Sequence, residues 1–168
     1  YVPLGAIMTR KELVDTLMEK GGFKHGFTYA GNPMACAIGL QVFKIIEEQK
    51  LVANSEHMGK LLKTELEQLA DQYPIIGNVR GIGLLQAIEL VKDRETKEPF
   101  PAADNASQCL TDLAFKGGLV IYPRKTLNGL EGDHVLVSPH LVINECDVKE
   151  LINRLEIALK EATRCLCS

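Results

Sequence analysis

The hydrophobic pattern of the chain changes its period once, and this change limits the fold more than any other feature of the sequence. From Pro33 to Ala70, apolar residues recur at helical spacing. Between Ile75 and Leu90 that spacing stops and β-branched residues and glycines become frequent. This stretch predicts two strand segments separated by a glycine-marked bend or bulge, with Gly77-Asn78 as the turn between them.

The elements after residue 50 are predicted in the order helix, two strands, helix, strand, strand and helix. The helices are expected at about Val52–Ala70 and Ala103–Lys116, with Asn144 capping the last one. The two later strands are expected at Leu119–Tyr122 and Val135–Ser138, with a polar loop between them. This order predicts an α+β fold, a small antiparallel or mixed sheet with helices over one face.

The first 48 residues have a different pattern, which indicates the tail of a larger α/β domain. The run Gly5–Met8 predicts a short buried strand, and Thr9 is expected to cap a helix that continues to about Glu19. A buried strand needs neighbours on both sides, so residues 1–48 are interpreted as a remnant of that larger domain. The long helix that begins at Pro33 then bridges to a C-terminal small domain over residues 49–168.

The residues before this long helix suit either an ordinary helix start or an anion site. Asn32 predicts an N-cap, and Pro33 suits the first helical position. Just upstream, two glycines flank Thr28 and Tyr29, whose hydroxyls are able to bind a phosphate together with free backbone N–H groups. From these residues alone the ordinary helix start is the better interpretation, because such caps are common.

Composition argues against several classes of function. The 46% of hydrophobic residues argues against a disordered chain, and the net charge of −3 argues against a nucleic-acid binder. The four histidines have no metal-ligand spacing, so no metal is expected. Five scattered cysteines predict reduced thiols and a cytoplasmic protein rather than a disulfide framework. No run reaches the apolar length of a membrane span, so no membrane partner is expected.

Four segments, taken together and in order, resemble landmarks of one enzyme family. The segments are Tyr1–Ala6, His25–Ala37, Val79–Leu84, and Gly132-Asp133-His134 leading into residues 138–143. In this order they resemble the class III aminotransferases, which are pyridoxal-phosphate enzymes of fold type I. The Gly-Asp-His before the final strand is most similar to the omega-amino acid and amine:pyruvate transaminases.

The resemblance implies a reaction and a set of site residues. The family uses pyridoxal 5'-phosphate to move an amino group between an amine or amino acid and an oxo acid. In its homodimers, the threonine of the HG-x-TY segment bonds the cofactor phosphate in the partner subunit's site, a role that falls on Thr28, with Tyr29 near the same site. Arg124 is the candidate for the substrate carboxylate, with a solvated loop arginine as the equal alternative. Arg80 and His134 are expected to be structural.

The resemblance also implies that no catalytic residue lies in this chain. The lysine that holds the cofactor covalently is expected upstream of Tyr1, while Lys11, Lys20 and Lys24 are expected to be surface residues. The chain is therefore interpreted as the C-terminal part of an aminotransferase, inactive alone. Two alternatives remain: a non-catalytic binding or dimerisation module derived from the small domain, and an aminomutase or racemase of the same family.

Overall fold

A computed structural model divides the chain into two units, Tyr1–Gln49 and Lys50–Ser168. It describes residues 2–126 and 131–167. The described elements of the first unit are α1 (Lys11–Glu19) and α2 (Pro33–Glu48). Those of the second unit are α3 (Leu51–Gln72), β1 (Ile76–Ile82), β2 (Leu85–Leu90), a short 3-10 helix (Ala102–Asp104), α4 (Ala106–Lys116), β3 (Tyr122–Thr126), β4 (Glu131–Val137) and α5 (Glu145–Leu166).

Two helix ends of the first unit, the start of α2 and the end of α1, lie where the sequence predicts them. The Asn32 side chain accepts a hydrogen bond from the Ala35 N–H at 3.0 Å, and Pro33 occupies the first turn of α2, as predicted. At the end of α1, the Gly22 N–H donates to the Leu17 carbonyl at 2.9 Å. That bond needs a left-handed backbone at the preceding residue, which glycine adopts without strain, and Gly21 has φ +106°.

Two predictions for the start of the first unit are wrong. Gly5–Met8 does not form a strand, because a strand requires a hydrogen-bonded neighbour and the described part of this unit contains no other strand. Thr9 does not cap α1, which begins two residues later, at Lys11. Arg10 is the N-cap residue, and its side chain makes no capping bond.

The sheet has the strand order β1-β2-β4-β3, and all neighbouring strands are antiparallel. β1 and β2 form a hairpin, but the predicted position of its turn is wrong. The chain turns at Gly83 and Leu84, whereas Gly77 lies at a bulge between Ile76 and Asn78. The turn lies there because Gly83, at φ +52°, packs closely against α3.

β3 and β4 extend through much of the stretch that was expected to be a polar loop. β3 is Tyr122–Thr126 rather than Leu119–Tyr122, and β4 begins at Glu131 rather than Val135. β3 lies at the edge of the sheet, where polar side chains remain hydrated and the missing N–H of Pro123 is tolerated. Its polar composition therefore reflects its edge position.

The core lies between one face of the sheet and the helices, as predicted. α3 and α4 pack against the sheet, and α5 packs against both of these helices. Fully buried side chains come from every layer, with Leu62 on α3, Ile88 and Val135 on the central strands, Leu110 on α4 and Leu155 on α5. The opposite face of the sheet, called the open face below, bears Asn78, Arg80, Ile82, Leu85, Ala87, Glu89, Tyr122, Arg124, His134 and Leu136.

α5 begins at a complete capping box. The Asp147 N–H donates to Asn144 Oδ1 at 3.0 Å, and the Asn144 N–H donates to Asp147 Oδ2 at 3.3 Å. The prediction that Asn144 caps the last helix is therefore confirmed. Among the described helices, none has the length and apolar character needed to cross a membrane.

Candidate functional site

Thr28 and Tyr29 lie in two consecutive turns that lead into α2. The Ala30 N–H donates to the Phe27 carbonyl at 2.9 Å, and the Asn32 N–H donates to the Tyr29 carbonyl at 3.0 Å. Gly31, at φ +71°, permits the second turn. Both Thr28 and Tyr29 are exposed, so their hydroxyls are available to a ligand.

An open cleft of about 530 Å³ lies beside these turns, within the first unit. One side is formed by residues 2–5 and the other by Phe27, residues 29–32, Met34 and Ala35. Thr28 itself is not a lining residue. The aromatic ring of His25 stands edge-on to that of Phe27, with 4.7 Å between centroids, so two rings pack together immediately before Thr28.

The residues of this region fit one end of pyridoxal phosphate. The exposed hydroxyls of Thr28 and Tyr29 are donors of the kind that a phosphate accepts. Lysine is absent from the described residues that line the cleft. Lys11 is paired with Asp15 at 2.6 Å with 83% of its side chain exposed, and Lys20 and Lys24 are exposed as well. These positions agree with the prediction that all three lysines are surface residues.

The open face of the sheet holds the other predicted residues, all within the second unit. Arg80 Nη1 lies 2.7 Å from Glu89 Oε2, so the structural role predicted for Arg80 takes the form of an ion pair. Glu89 is the register partner of His134, and His134 is the register partner of Arg124. The sheet therefore brings Glu89, His134 and Arg124 into one row across three strands.

Arg124 lies on a strand, not in a loop, and it has an aromatic neighbour. Its guanidinium carbon is 5.1 Å from the centroid of the Tyr122 ring, within the range of a cation–π interaction. Among the described residues, Arg124 has no carboxylate partner. An exposed guanidinium that is oriented by a ring and has no ion pair is able to bind a carboxylate.

Two residues of the second unit were missed in the sequence. Tyr122 was taken for the end of a strand, and its stacking under Arg124 was not expected. Asp133 was noted only as part of a landmark, yet it is fully buried and accepts hydrogen bonds from the Ser107 N–H at 2.9 Å and from Ser107 Oγ at 2.5 Å. The alternation of Asp133 with Val135 was a signal, since a strand beginning at residue 131 places both side chains on one face.

His134 has a backbone partner that explains its position. Its Nδ1 lies 3.1 Å from the Gly132 carbonyl oxygen. Because a carbonyl oxygen only accepts, Nδ1 carries the proton in this contact. The imidazole therefore stabilises the start of β4, in agreement with the structural role expected for His134.

Known proteins similar to this chain are aminotransferases. The family model for class-III aminotransferases matches residues 2–159. An aminotransferase of Gibberella zeae is 36% identical over 166 residues, which cover 95% of this chain and 32% of that protein. The putrescine–pyruvate aminotransferase of Pseudomonas aeruginosa is 35% identical over 153 residues, which cover 90% of this chain and 32% of that protein.

Solved structures agree with this result. A transaminase from the marine bacterium Virgibacillus superposes with a TM-score of 0.81 at 30% identity, over 89% of this chain and 34% of that one. An (S)-enantioselective omega-transaminase from Thermomicrobium roseum has a TM-score of 0.78 at 32% identity, over 90% of this chain and 32% of that one. The chain spans 32% of the length of each curated relative named above. It belongs to the class-III aminotransferase family.

Proposed function

We propose that this chain is the C-terminal part of a pyridoxal-phosphate aminotransferase that moves an amino group between an amine or amino acid and an oxo acid. The observation that carries the proposal is the class-III family match over residues 2–159. The similarity to a putrescine–pyruvate aminotransferase and to an omega-transaminase supports an amine as donor and an oxo acid such as pyruvate as acceptor.

Thr28 is the residue to which we assign the cofactor. When bound, pyridoxal phosphate supplies the electron-withdrawing ring through which an amino group is exchanged for an oxo group. Thr28 donates its hydroxyl proton to a phosphate oxygen, in the partner subunit's site of a homodimer, and Tyr29 lies close to the same group. The exposure of both side chains and their turn geometry before α2 support this assignment.

Arg124 is the residue to which we assign the substrate carboxylate. Its guanidinium has two parallel N–H groups that match the two oxygens of a carboxylate. Its exposure and the absence of an ion pair among the described residues support the assignment, because no competing carboxylate has to be displaced. The stacking on Tyr122 reduces the conformational freedom that Arg124 would lose on binding.

The lysine that holds the cofactor is assigned to a segment upstream of this chain. The exposure of Lys11, Lys20 and Lys24 supports this, since an amine that forms a Schiff base near neutral pH is usually desolvated. The chain alone is therefore inactive, and the longer protein is a cytoplasmic homodimer. A chain that lost that segment would be the non-catalytic module named above, and rearrangement or racemisation by the longer protein would identify the aminomutase or racemase.

Replacement of Thr28 tests the cofactor assignment. In the longer protein, Thr28→Ala is expected to weaken pyridoxal-phosphate binding by about 1.5–3 kcal/mol, the range for a hydrogen bond to a charged group. Equilibrium dialysis at a fixed protein concentration measures the loss. Thr16→Ala is the matched control, because the Thr16 hydroxyl donates to the Glu12 carbonyl within α1, at 2.9 Å, and Thr16 does not line the cleft beside the Thr28 turns. Equal affinity of Thr28→Ala and the unmodified protein would contradict the assignment.

The activity itself is tested with two preparations, the 168-residue chain and the longer protein. Each is incubated with pyridoxal phosphate, putrescine and pyruvate, and alanine is measured by mass spectrometry. We expect alanine from the longer protein and none from the chain. Turnover by the chain would contradict the upstream assignment of the lysine, and failure of the longer protein with all tested amines and oxo acids would contradict the proposed reaction.

A further inference from the structure

Adjacent residues of the strands β3 and β4 face opposite sides of the sheet. On β3, Arg124 lies on the open face and Lys125 on the helix side. On β4, His134 lies on the open face and Asp133 on the helix side. Arg124 and His134 are register partners and are called the outer pair. Lys125 and Asp133 lie where the register shifts and are not register partners; they are called the inner pair because both face the helices.

Both members of the inner pair bond to the start of α4. Asp133 Oδ1 accepts from the Ser107 N–H and from Ser107 Oγ, and both groups are buried. Lys125 Nζ donates to Asn105 Oδ1 at 2.9 Å and lies 3.4 Å from the Ala102 carbonyl oxygen. Two strands of the sheet are therefore tied to one helix end, each by a charged side chain.

The start of α4 depends on these bonds because it has no cap from its own segment. Asn105 is the N-cap residue, but its backbone is left-handed, at φ +45°, and its side chain makes no capping bond. The first N–H groups of a helix need acceptors, and Asp133 supplies one across 26 residues of sequence. A carboxylate acceptor makes this a charge-assisted bond, stronger than a neutral one.

The backbone hydrogen bonds between β3 and β4 are a weak constraint on the register of β3. β3 is an edge strand with one neighbour, Pro123 has no N–H to donate, and the register shifts between Arg124 and Thr126. A slip by one residue would exchange the faces of Arg124 and Lys125, because side chains alternate with a period of two. The bond from Lys125 to Asn105 opposes that slip.

We propose that Lys125 and Asp133 are positioning residues for Arg124. By bonding to the start of α4, they keep the guanidinium of Arg124 on the open face and over the Tyr122 ring, where it binds the carboxylate of an oxo acid or amino acid. The inference rests on the proposed function for the role of Arg124 and goes beyond it by naming the residues that set its place.

The position of Arg124 is measurable without any ligand. Because the guanidinium carbon lies 5.1 Å from the Tyr122 ring centroid, the ring is expected to shift the Arg124 δ-proton resonances upfield in the NMR spectrum of the folded 168-residue chain. Tyr122→Leu gives the value without the ring. Lys125→Met and Asp133→Ala are expected to lose most of this upfield shift, because each removes the bonds from its strand to the start of α4. Lys125→Arg, which keeps the cation, is expected to retain it.

The matched control removes a carboxylate that lies on α4 itself and does not bond to β3 or β4. Asp112 is exposed on α4, where its Oδ1 accepts from Gln108 at 2.7 Å, and Asp112→Ala is expected to retain the full upfield shift. If Asp133→Ala does not fold, Ser107→Ala replaces it, because this change removes the hydroxyl bond and leaves the backbone N–H bond to Asp133; it is expected to lose part of the upfield shift. A full upfield shift in folded Lys125→Met and in Asp133→Ala or its Ser107→Ala substitute would overturn the proposal.

Pyruvate binding tests the carboxylate role proposed for Arg124 separately from the positioning role of Lys125 and Asp133. We expect pyruvate to perturb the Arg124 resonances of the unmodified chain, with weaker binding to Arg124→Ala and to Lys125→Met. Equal pyruvate binding by the unmodified chain and Arg124→Ala would contradict the carboxylate role of Arg124. The upfield shift decides the positioning role independently of that result.

Discussion

The two units bear the same kind of apolar helix stripe and bury it to different degrees. On α3 of the second unit, Leu62 and Leu66 are fully buried. On α1 of the first unit, Leu13 and Leu17 remain 52% and 47% exposed, and no residue of α1 or α2 is buried. Helical periodicity therefore identifies the apolar face of a helix, but it does not identify which element buries that face.

The apolar residues of α1 form a surface of their own. Together with neighbouring residues they line an open cleft of about 720 Å³, whose walls include Leu13, Val14, Leu17, Met18 and Phe23. In the second unit, the apolar side chains of α3 pack against the sheet and against α5. The difference predicts that stability resides in the second unit, and matched substitutions in the two units test this.

Truncation of a leucine is expected to have the largest effect. Leu62→Ala should lower the free energy of unfolding by about 2–5 kcal/mol, because it removes buried methyl groups and leaves a cavity. Leu17→Ala, at a half-exposed position of α1, should lower it by less than about 1 kcal/mol. Urea denaturation followed by circular dichroism measures both. A similar loss for the two variants would mean that α1 belongs to the same cooperative core.

Replacement of a helical glycine by alanine is expected to give the next largest difference in stability between the two units. A Cβ on Gly59 of α3 would meet the backbone of Gly83, which cannot move without shifting the hairpin, so Gly59→Ala should cost about 1–3 kcal/mol. A Cβ on Gly39 of α2 would meet only the end of the flexible Leu4 side chain. Gly39→Ala should therefore be neutral or stabilise α2 by up to about 1 kcal/mol, since alanine favours a helix. Thermal denaturation measures both, and a loss at Gly39 equal to that at Gly59 would contradict the comparison.

Removal of a helix cap has a smaller expected effect. Asn144→Ala should lower the stability of the second unit by about 1 kcal/mol, because the Asp147 N–H loses its acceptor. Asn32→Ala removes a bond of the same length, 3.0 Å, from the Ala35 N–H. Since α2 has no buried residue, we expect faster hydrogen exchange at Ala35 without a shift in the urea midpoint of the second unit. A midpoint shift in Asn32→Ala as large as that in Asn144→Ala would show that the two units unfold together.

The elements that were predicted well are those whose determining residues all lie within a few positions of each other in the sequence. The stripe of α3, with Met58, Leu62, Leu66 and Leu69, is buried as its spacing indicated. The cap of α5 depends on Asn144 and on a residue three positions later, so it was visible in the sequence. Local spacing suffices where the partner is a few residues away.

The elements that were missed depend on partners that are distant in the sequence. The turn between β1 and β2 is set by the packing of Gly83 against Gly59 on α3. β3 is polar because it lies at the sheet edge, which only the strand order reveals.

The candidate site also has parts that adjacent residues predict and parts that depend on residues distant in the sequence. The helix start after Thr28 was predictable, because Asn32 and Pro33 are recognisable as its capping and first residues. The stacking of Arg124 on Tyr122 and the burial of Asp133 against Ser107 were not, because both follow from strands whose bounds were misplaced.

Thiol reactivity is expected to give the smallest difference between the units. Burial raises the pKa of the Cys109 thiol on α4, the nearby Cys165 and Asp112 raise it further, and Lys116 lowers it. Because the thiolate is the reactive form, a raised pKa means that Cys109 becomes reactive only at higher pH. Cys36 on α2 is exposed and provides the reference in the first unit. We expect iodoacetamide to modify Cys109 more slowly than Cys36 near neutral pH, with the ratio of rates approaching one as the pH rises. Peptide mass spectrometry measures both rates, and equal rates near neutral pH would mean that α4 opens as readily as the exposed helices of the first unit.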